Sequence, residues 1–268
     1  MANTSSGIIR AGVGGWTYEP WRGVFYPEKH PQKRELEYAS RRLSSIEING
    51  TYYGAQKPES FAKWFEETPD DFVFSLKAPR YATNRKVLAD AGETIERFFS
   101  GGVLELKHKL GAINWQFMPT KKFDPEDFEA FLKLLPKEAG GFSLRHAVEV
   151  RHESFLSPEL VALVRKYGVA VILVADSQYP LIADVTAPFV YARIMGTQEG
   201  EPLGYPEAAL DLWAARARTW ASGGSPDGLA RVEPGGHEGA PRDVYLYVIS
   251  GHKVANPDAA MSLSKRVA

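Results

Sequence analysis

Two hydrophobic rhythms alternate along this chain. Short runs rich in Val, Ile, Phe and Tyr recur at 8–16, 44–50, 72–79, 110–118, 146–152, 169–176, 189–196 and 243–250, and predict eight β-strands. Most of the gaps between them carry apolar residues three and four apart, the stripe of an amphipathic helix. In 124–135, Asp124 is placed to cap the helix and Pro125 to start it, and Phe128, Phe131, Leu132 and Leu135 share one face. Ser157, Pro158 and Gly168 frame a second helix in the same way. Further helices are predicted over 57–68 (Phe61, Trp64 and Phe65 on one stripe), over 205–224 (Leu210, Trp213, Ala217, Trp220) and over 256–267. After strand six the stretch 177–188 is short and holds Pro180 and Pro188, so the helix there is weak or missing.

Strands that alternate with helices pair in parallel, because parallel pairing needs a crossover. An open doubly wound sheet and a closed (β/α)8 TIM-type barrel both satisfy that order. Eight units in about 250 residues suit the barrel. No boundary divides the chain, so 1–268 reads as a single barrel domain, with the Gly/Pro-rich stretch 222–242 expected to be a mobile loop.

Polar residues complicate the strands. A parallel strand covered on both faces should be almost continuously apolar. Strand two instead alternates Ser45, Glu47 and Asn49 with Ile46 and Ile48. Ser75 and Lys77 share a face of strand three, as do Asn114 and Gln116 of strand four, Glu149 and Arg151 of strand five, Tyr191 and Arg193 of strand seven, and Tyr245 and Tyr247 of strand eight. Their neighbours Phe74, Leu76, Ile113, Trp115, Val148 and Val150 are apolar and suit a helix layer. The polar set is therefore expected inside the barrel, mostly toward the C-terminal ends of the strands, where such barrels hold their active sites.

Composition removes several alternatives. The chain has 268 residues, a net charge of -1 and no cysteine, which excludes disulfides and thiolate metal sites. Neither bulk charge nor an aromatic–basic motif suggests nucleic acid. No apolar run is long enough to span a membrane and no secretory signal is evident, so a cytoplasmic protein is expected. The glycines at 12–15 do not form a phosphate loop: Thr17 stands where a third glycine would be needed, and the Lys and Ser/Thr of a P-loop are lacking.

Candidate chemistry follows from the inward set. Glu47 and Glu149 could serve as acid and base, or as nucleophile and acid. Lys77, Arg80, Arg151 and Arg193 could hold a carboxylate or phosphate. Internal ion pairs with Glu47, Glu149 and Asp176 would explain the same residues with no chemistry. Lys77 could act as a Schiff-base or proton-transfer lysine if burial lowered its pKa. Glu47, Glu149, His152 and Asp176 are metal ligands by type, but no local spacing supports a metal site, and none is assigned. Trp16, by parity with Gly12 and Gly14, could wall the pocket, with Tyr52, Asn49, Gln116 and Tyr247 lining it; Asp176, and His152 if it turns in at the strand tip, complete the expected substrate-binding set.

The stretches "GVGGWTYEPWRGVFYP", "EINGTYY", "KPESFAKW", "FSLKAPR", "EVRHESF", "YARIMG" and "DVYLYVISG" occur in an order that resembles the DUF72 family, also called YecE-like proteins. The resemblance, covering about residues 10 to 264, implies a TIM-type barrel and, the family being one of unknown function, no particular activity. Where that family usually has histidines this chain has Asn84 and Met195, and Ile249, Ser250 and Gly251 replace an Asn-Asn-Asp-like run after strand eight. A variant subfamily with a different ligand, or a weakened activity, would follow from such changes.

The sequence thus predicts an enzyme, a hydrolase or lyase by its residue types, using Glu47, Glu149 and Lys77 on a small polar, anionic or carbohydrate-like compound without a cofactor. The alternative is a non-catalytic anion-binding protein built on the same pocket.

Overall fold

The computed structural model describes residues 6–236 and 239–268. All predicted strands enter one parallel sheet: β1 (Ile9–Gly14), β2 (Ser45–Ile48), β3 (Val73–Lys77), β4 (Leu110–Gln116), β5 (Arg145–Glu149), β6 in two pieces (Ala170–Val171 and Leu173–Ala175), β7 (Phe189–Ile194) and β8 (Asp243–Val248). Sequential neighbours pair from β1 to β5, and β8 pairs with both β7 and β1. The first piece of β6 pairs with β5 and the second with β7, so the ring closes through a strand interrupted at Ile172. The interruption makes nine segments where eight were expected. Ile172 stays attached, its N–H donating to the Val148 carbonyl at 2.9 Å.

Around the strands run α1 (Glu35–Ser40), α2 (Pro58–Glu67), α3 (Gly92–Ser100), α4 (Pro125–Leu134), α5 (Pro158–Tyr167), α6 (Glu207–Ala221) and α7 (Asn256–Val267). Asp124 caps α4 by accepting from the N–H groups of Glu126 and Asp127, and Ser157 caps α5 through Glu159. Such a cap contributes about 1 kcal/mol. Gly168 ends α5 at φ 67°, a left-handed position that favours glycine.

No helix follows β6 among the described residues. Buried Ile182 and Val185, with Leu229 and Val232 from the Gly/Pro-rich stretch, fill that part of the outer layer. Asp184 accepts from the N–H groups of Val232 and Glu233 at 2.7 and 2.8 Å, and Arg165 donates to the Glu233 carbonyl at 2.7 Å. The described part of 222–242 is irregular, and these bonds tie it to the barrel; residues 237–238 lie outside the described residues. No helix of the described residues is long and apolar enough to cross a membrane.

Two apolar clusters follow the strand parity. Ile46, Ile48, Phe74, Leu76, Ile113, Trp115, Val148 and Val150 meet the helices in the larger one. Val73, Ala112, Ala147, Ala170, Ile172, Phe189, Tyr191, Tyr245 and Tyr247 fill the inside of the ring. Strands β1 and β2 touch closely at Gly12, where a Cβ would lie 1.9 Å from the Ser45 carbonyl oxygen.

His146 is a buried polar group of the outer layer. Trp115 Nε1 donates to its Nδ1 at 3.0 Å, so Nε2 carries the proton and donates to the Pro136 carbonyl at 2.7 Å. Burial pushes its pKa down to about 4, against the opposing hydrogen bond to Pro136. The folded state therefore binds a proton less readily than the unfolded chain. The resulting stability is present above the unfolded pKa of about 6.5 and is lost as pH falls toward 4. Urea unfolding from pH 7 to pH 4 should show about 3 kcal/mol more loss in the wild type than in His146→Gln. Equal losses in both proteins would refute this account of His146.

Candidate functional site

The C-terminal ends of the strands bring together Glu47 (β2), Lys77 (β3), Asn114 and Gln116 (β4), Glu149 (β5), Arg151 just beyond it, and Tyr191 and Arg193 (β7). Each is the last or next-to-last inward position of its strand, or the first inward position after it, so parity and strand length together set the cluster. Glu47 and Glu149 are fully buried. Arg193 lies between them and spans both: Nη2 donates to Glu47 Oε1 at 3.0 Å and Nη1 to Glu149 Oε2 at 2.5 Å. Asn114 Nδ2 faces the same two carboxylates at 3.4 and 3.2 Å, and Tyr191 donates its hydroxyl to Glu47. Arg151 Nε donates to Glu149 Oε1 at 2.6 Å and its Nη2 to Gln116 Oε1 at 2.9 Å. Tyr179 completes this shell, its ring 4.3 Å from the Arg151 guanidinium.

Burial alone would raise the pKa of Glu149. Arg193, then Arg151 and Lys77, outweigh it and hold the carboxyl below its ordinary range. Tyr191 moves the other way, its pKa raised well above the ordinary value by burial and by Glu47. Two carboxylates face three cationic side chains, so the formal balance is positive and suits an anion.

Lys77 differs from the other charges of the cluster. It is buried, with Nζ 4.2 Å from the centre of the Tyr52 ring. It forms no side-chain hydrogen bond and no ion pair with the described residues, because the arginines occupy both carboxylates. Burial, then Arg193, lowers its pKa to about 8, against the pull of Glu47 and Glu149. Buried Lys109 provides the contrast. Its ammonium donates to the Phe65 and Thr68 carbonyls and to the Thr68 hydroxyl, so it is saturated as a structural lysine should be.

Several residues expected in the pocket lie elsewhere. Trp16 faces the helix layer, packing on Trp64 at 5.1 Å and on Phe74 at 6.3 Å. Gly15, at φ 72°, turns the chain before it and cancels the parity on which that expectation rested. His152 caps the turn at 153–155, its Nδ1 accepting from the Ser154 N–H at 3.1 Å. Asp176 is exposed at the β6 tip, where it accepts from Tyr205, and pairs with none of the cluster cations. Arg80 lies on the rim beside Tyr81 and Tyr53. Tyr247 is enclosed one step lower, sharing hydrogen bonds with Ser45 and Ser75, and forms floor rather than lining. Asn49 remains at the mouth, its amide 2.8 Å from where a Cβ of Gly14 would lie.

Of the altered positions, Asn84 is exposed, Met195 and Ile249 join the inner apolar cluster, and Ser250 and Gly251 form a left-handed turn at φ 65° and 60°. The residue that sequence reasoning missed is Tyr179. It stands in the helix-free segment after β6, and an aromatic next to Pro180 was its only signal. Among the described residues no group of three His, Cys, Asp or Glu could hold a metal ion. Asp176 and His152 stay apart from the two glutamates.

Comparison with known proteins fits this architecture. UPF0759 protein YecE of Escherichia coli K12 is 27% identical over 150 residues, 56% of this chain and 51% of that protein. The matched region thus spans about half the length of that relative. A DUF72 family protein of Thermotoga maritima superposes with a TM-score of 0.71 at 21% identity, over 96% of this chain and 98% of the other. One from Enterococcus faecalis gives 0.71 at 17% identity, over 97% and 95%. These likenesses show the shared barrel. Since the family model described as "Protein of unknown function DUF72" also matches residues 10–268, the chain belongs to the DUF72 family.

Proposed function

We propose that the barrel mouth is the active site of an enzyme that applies acid–base chemistry to a small polar, anionic molecule, with Lys77 as the proton-transfer group. The observation that carries this reading is Lys77, a largely buried residue whose ammonium has no hydrogen-bond or ion-pair partner among the described residues and stands beside two carboxylates that are both engaged by arginines. Titratable groups whose protonation is perturbed by burial and by charged neighbours cluster at functional sites. A pKa of about 8 lies near the operating range of a general acid or base.

Glu149 takes a different role from the one its residue type suggests. Held below its ordinary range, it is ionised at neutral pH and cannot protonate a leaving group, so in a glycosidase-like pair it could serve only as base or nucleophile. Together with Glu47 it fixes Arg193 and sets the local field. Asn114 Oδ1 and Arg193 Nε are buried without a hydrogen-bond partner among the described residues, so the enclosed network beneath the mouth leaves one acceptor and one donor unmet. The positive balance also supports the second reading, a non-catalytic anion-binding protein.

Titration of Lys77 by NMR of labelled lysine amines tests the proposal: its midpoint should fall near pH 8. The groups facing it are Glu47, Glu149, Arg151, Arg193 and the Tyr52 ring, and none of the four charged ones pairs with it. A midpoint at the ordinary lysine value of about 10.4 would overturn the assignment.

Stability provides a second readout. Because the folded pKa is depressed, the folded state binds the Lys77 proton less well than the unfolded chain. That cost is present in full at pH 7, fades as pH rises from about 8 and is gone above about 10.5. Lys77→Met is therefore expected to stabilise the protein at pH 7, by up to about 3 kcal/mol. A loss of stability at pH 7 would mark Lys77 as structural.

A further inference from the structure

We infer that Lys77 is the nucleophile that forms an iminium with the carbonyl carbon of an anionic substrate, an oxo acid or a similar carboxylated aldehyde or ketone. The inference rests on the active-site reading above, gives Lys77 a covalent role in place of simple proton transfer, and names the substrate class of that site.

Lys77 ends β3, and its ammonium lies against the face of Tyr52 rather than against a carboxylate. A lysine in an ion pair would have to break it before attacking; this one has none to break. The saturated Lys109 shows how the same chain holds a lysine whose role is structural. A depressed pKa adds free amine at neutral pH, which activates a lysine toward carbonyls.

The site also suits the product. In the reaction R–NH3+ + O=CR′2 → R–NH+=CR′2 + H2O, nitrogen attacks the carbonyl carbon, a C=N bond forms and the C–O bond breaks. The oxygen departs with two of the ammonium protons. Charge is conserved, so the iminium inherits the place of the ammonium over the Tyr52 ring and within the field of Glu47 and Glu149. The substrate's anionic group finds Arg151. Two of its nitrogens are fixed by Glu149 and Gln116, whereas Nη1 has only a long, 3.3 Å bond to the Tyr179 hydroxyl.

Reductive trapping tests the inference. The full chain is incubated with pyruvate and cyanoborohydride at pH 7, in parallel with acetone, which lacks the carboxylate, and the adduct is mapped by peptide mass spectrometry. Pyruvate should label Lys77 ahead of every other lysine, acetone at least tenfold more slowly, and Lys77→Arg should lose the dominant adduct. Lys77→Met serves the same purpose if the arginine variant does not fold. Scattered labelling unchanged in these variants would overturn the inference, and equal labelling by acetone would overturn the anionic substrate class. If Lys77 titrates near pH 8 but is not trapped, the iminium falls and the acid–base reading stands. A titration at the ordinary lysine value removes both.

Discussion

Replacement of Arg193 by methionine should lower the free energy of unfolding by about 3–5 kcal/mol. Arg193 has 3% of its side chain exposed and is the group that spans Glu47 and Glu149. Its loss leaves two buried carboxylates facing each other with Asn114, Tyr191 and Arg151 as hydrogen-bond partners and Lys77 as a nearby cation that pairs with neither. The large cost comes from that uncompensated charge rather than from the energy of the ion pairs themselves. The defect should therefore shrink when the charge is removed with it. Glu47→Gln/Glu149→Gln/Arg193→Met is expected to recover at least half of the lost stability, as measured by urea unfolding at pH 7. A single variant within 1 kcal/mol of the wild type, or a triple variant worse than the single, would show that the network does not work this way.

Gly12→Ala should be nearly as damaging, at about 3 kcal/mol or more. The added carbon would lie 1.9 Å from the Ser45 carbonyl oxygen. That oxygen belongs to the backbone of a paired strand, so no rotamer change relieves the overlap. Either β1 and β2 part, with loss of the Gly12–Ser45 register, or the ring distorts. Thermal unfolding of Gly12→Ala beside Gly54→Ala gives the comparison, because a Cβ at Gly54 meets nothing within 4 Å. Similar melting temperatures for the two variants would overturn the steric argument.

Much of this architecture was legible in the sequence because it follows from periodicity. Burying strands between a helix layer and a filled interior imposes period two on both faces, and Ile46, Ile48, Glu47 and Glu149 each lie on the side their parity assigns. The caps Asp124 and Ser157 were equally visible, since an oxygen must meet the free N–H groups of each helix start. Parity stops informing where the strand stops. Gly15 turns Trp16 outward, and His152, just beyond β5, spends its imidazole on a cap. Nor does residue type disclose partnership. Lys77 and Lys109 look alike in sequence, yet one is saturated and the other unpaired.

The interruption of β6 has a mechanical meaning. A cylinder of strands resists deformation evenly only if every seam is equally stitched. Here one stave is stitched by two short seams, to β5 by the residue pairs at Ala170 and Val171 and to β7 by those at Leu173, Val174 and Ala175, and among the described residues no helix follows it to brace it from behind. Free energy for partial opening is lowest where buried contacts and backbone bonds are fewest. Tyr179, which flanks Arg151, is carried on the chain leaving that stave. Breathing of the cylinder at β6 would loosen one wall of the mouth while the Arg193 network, anchored on better-stitched staves, kept its shape.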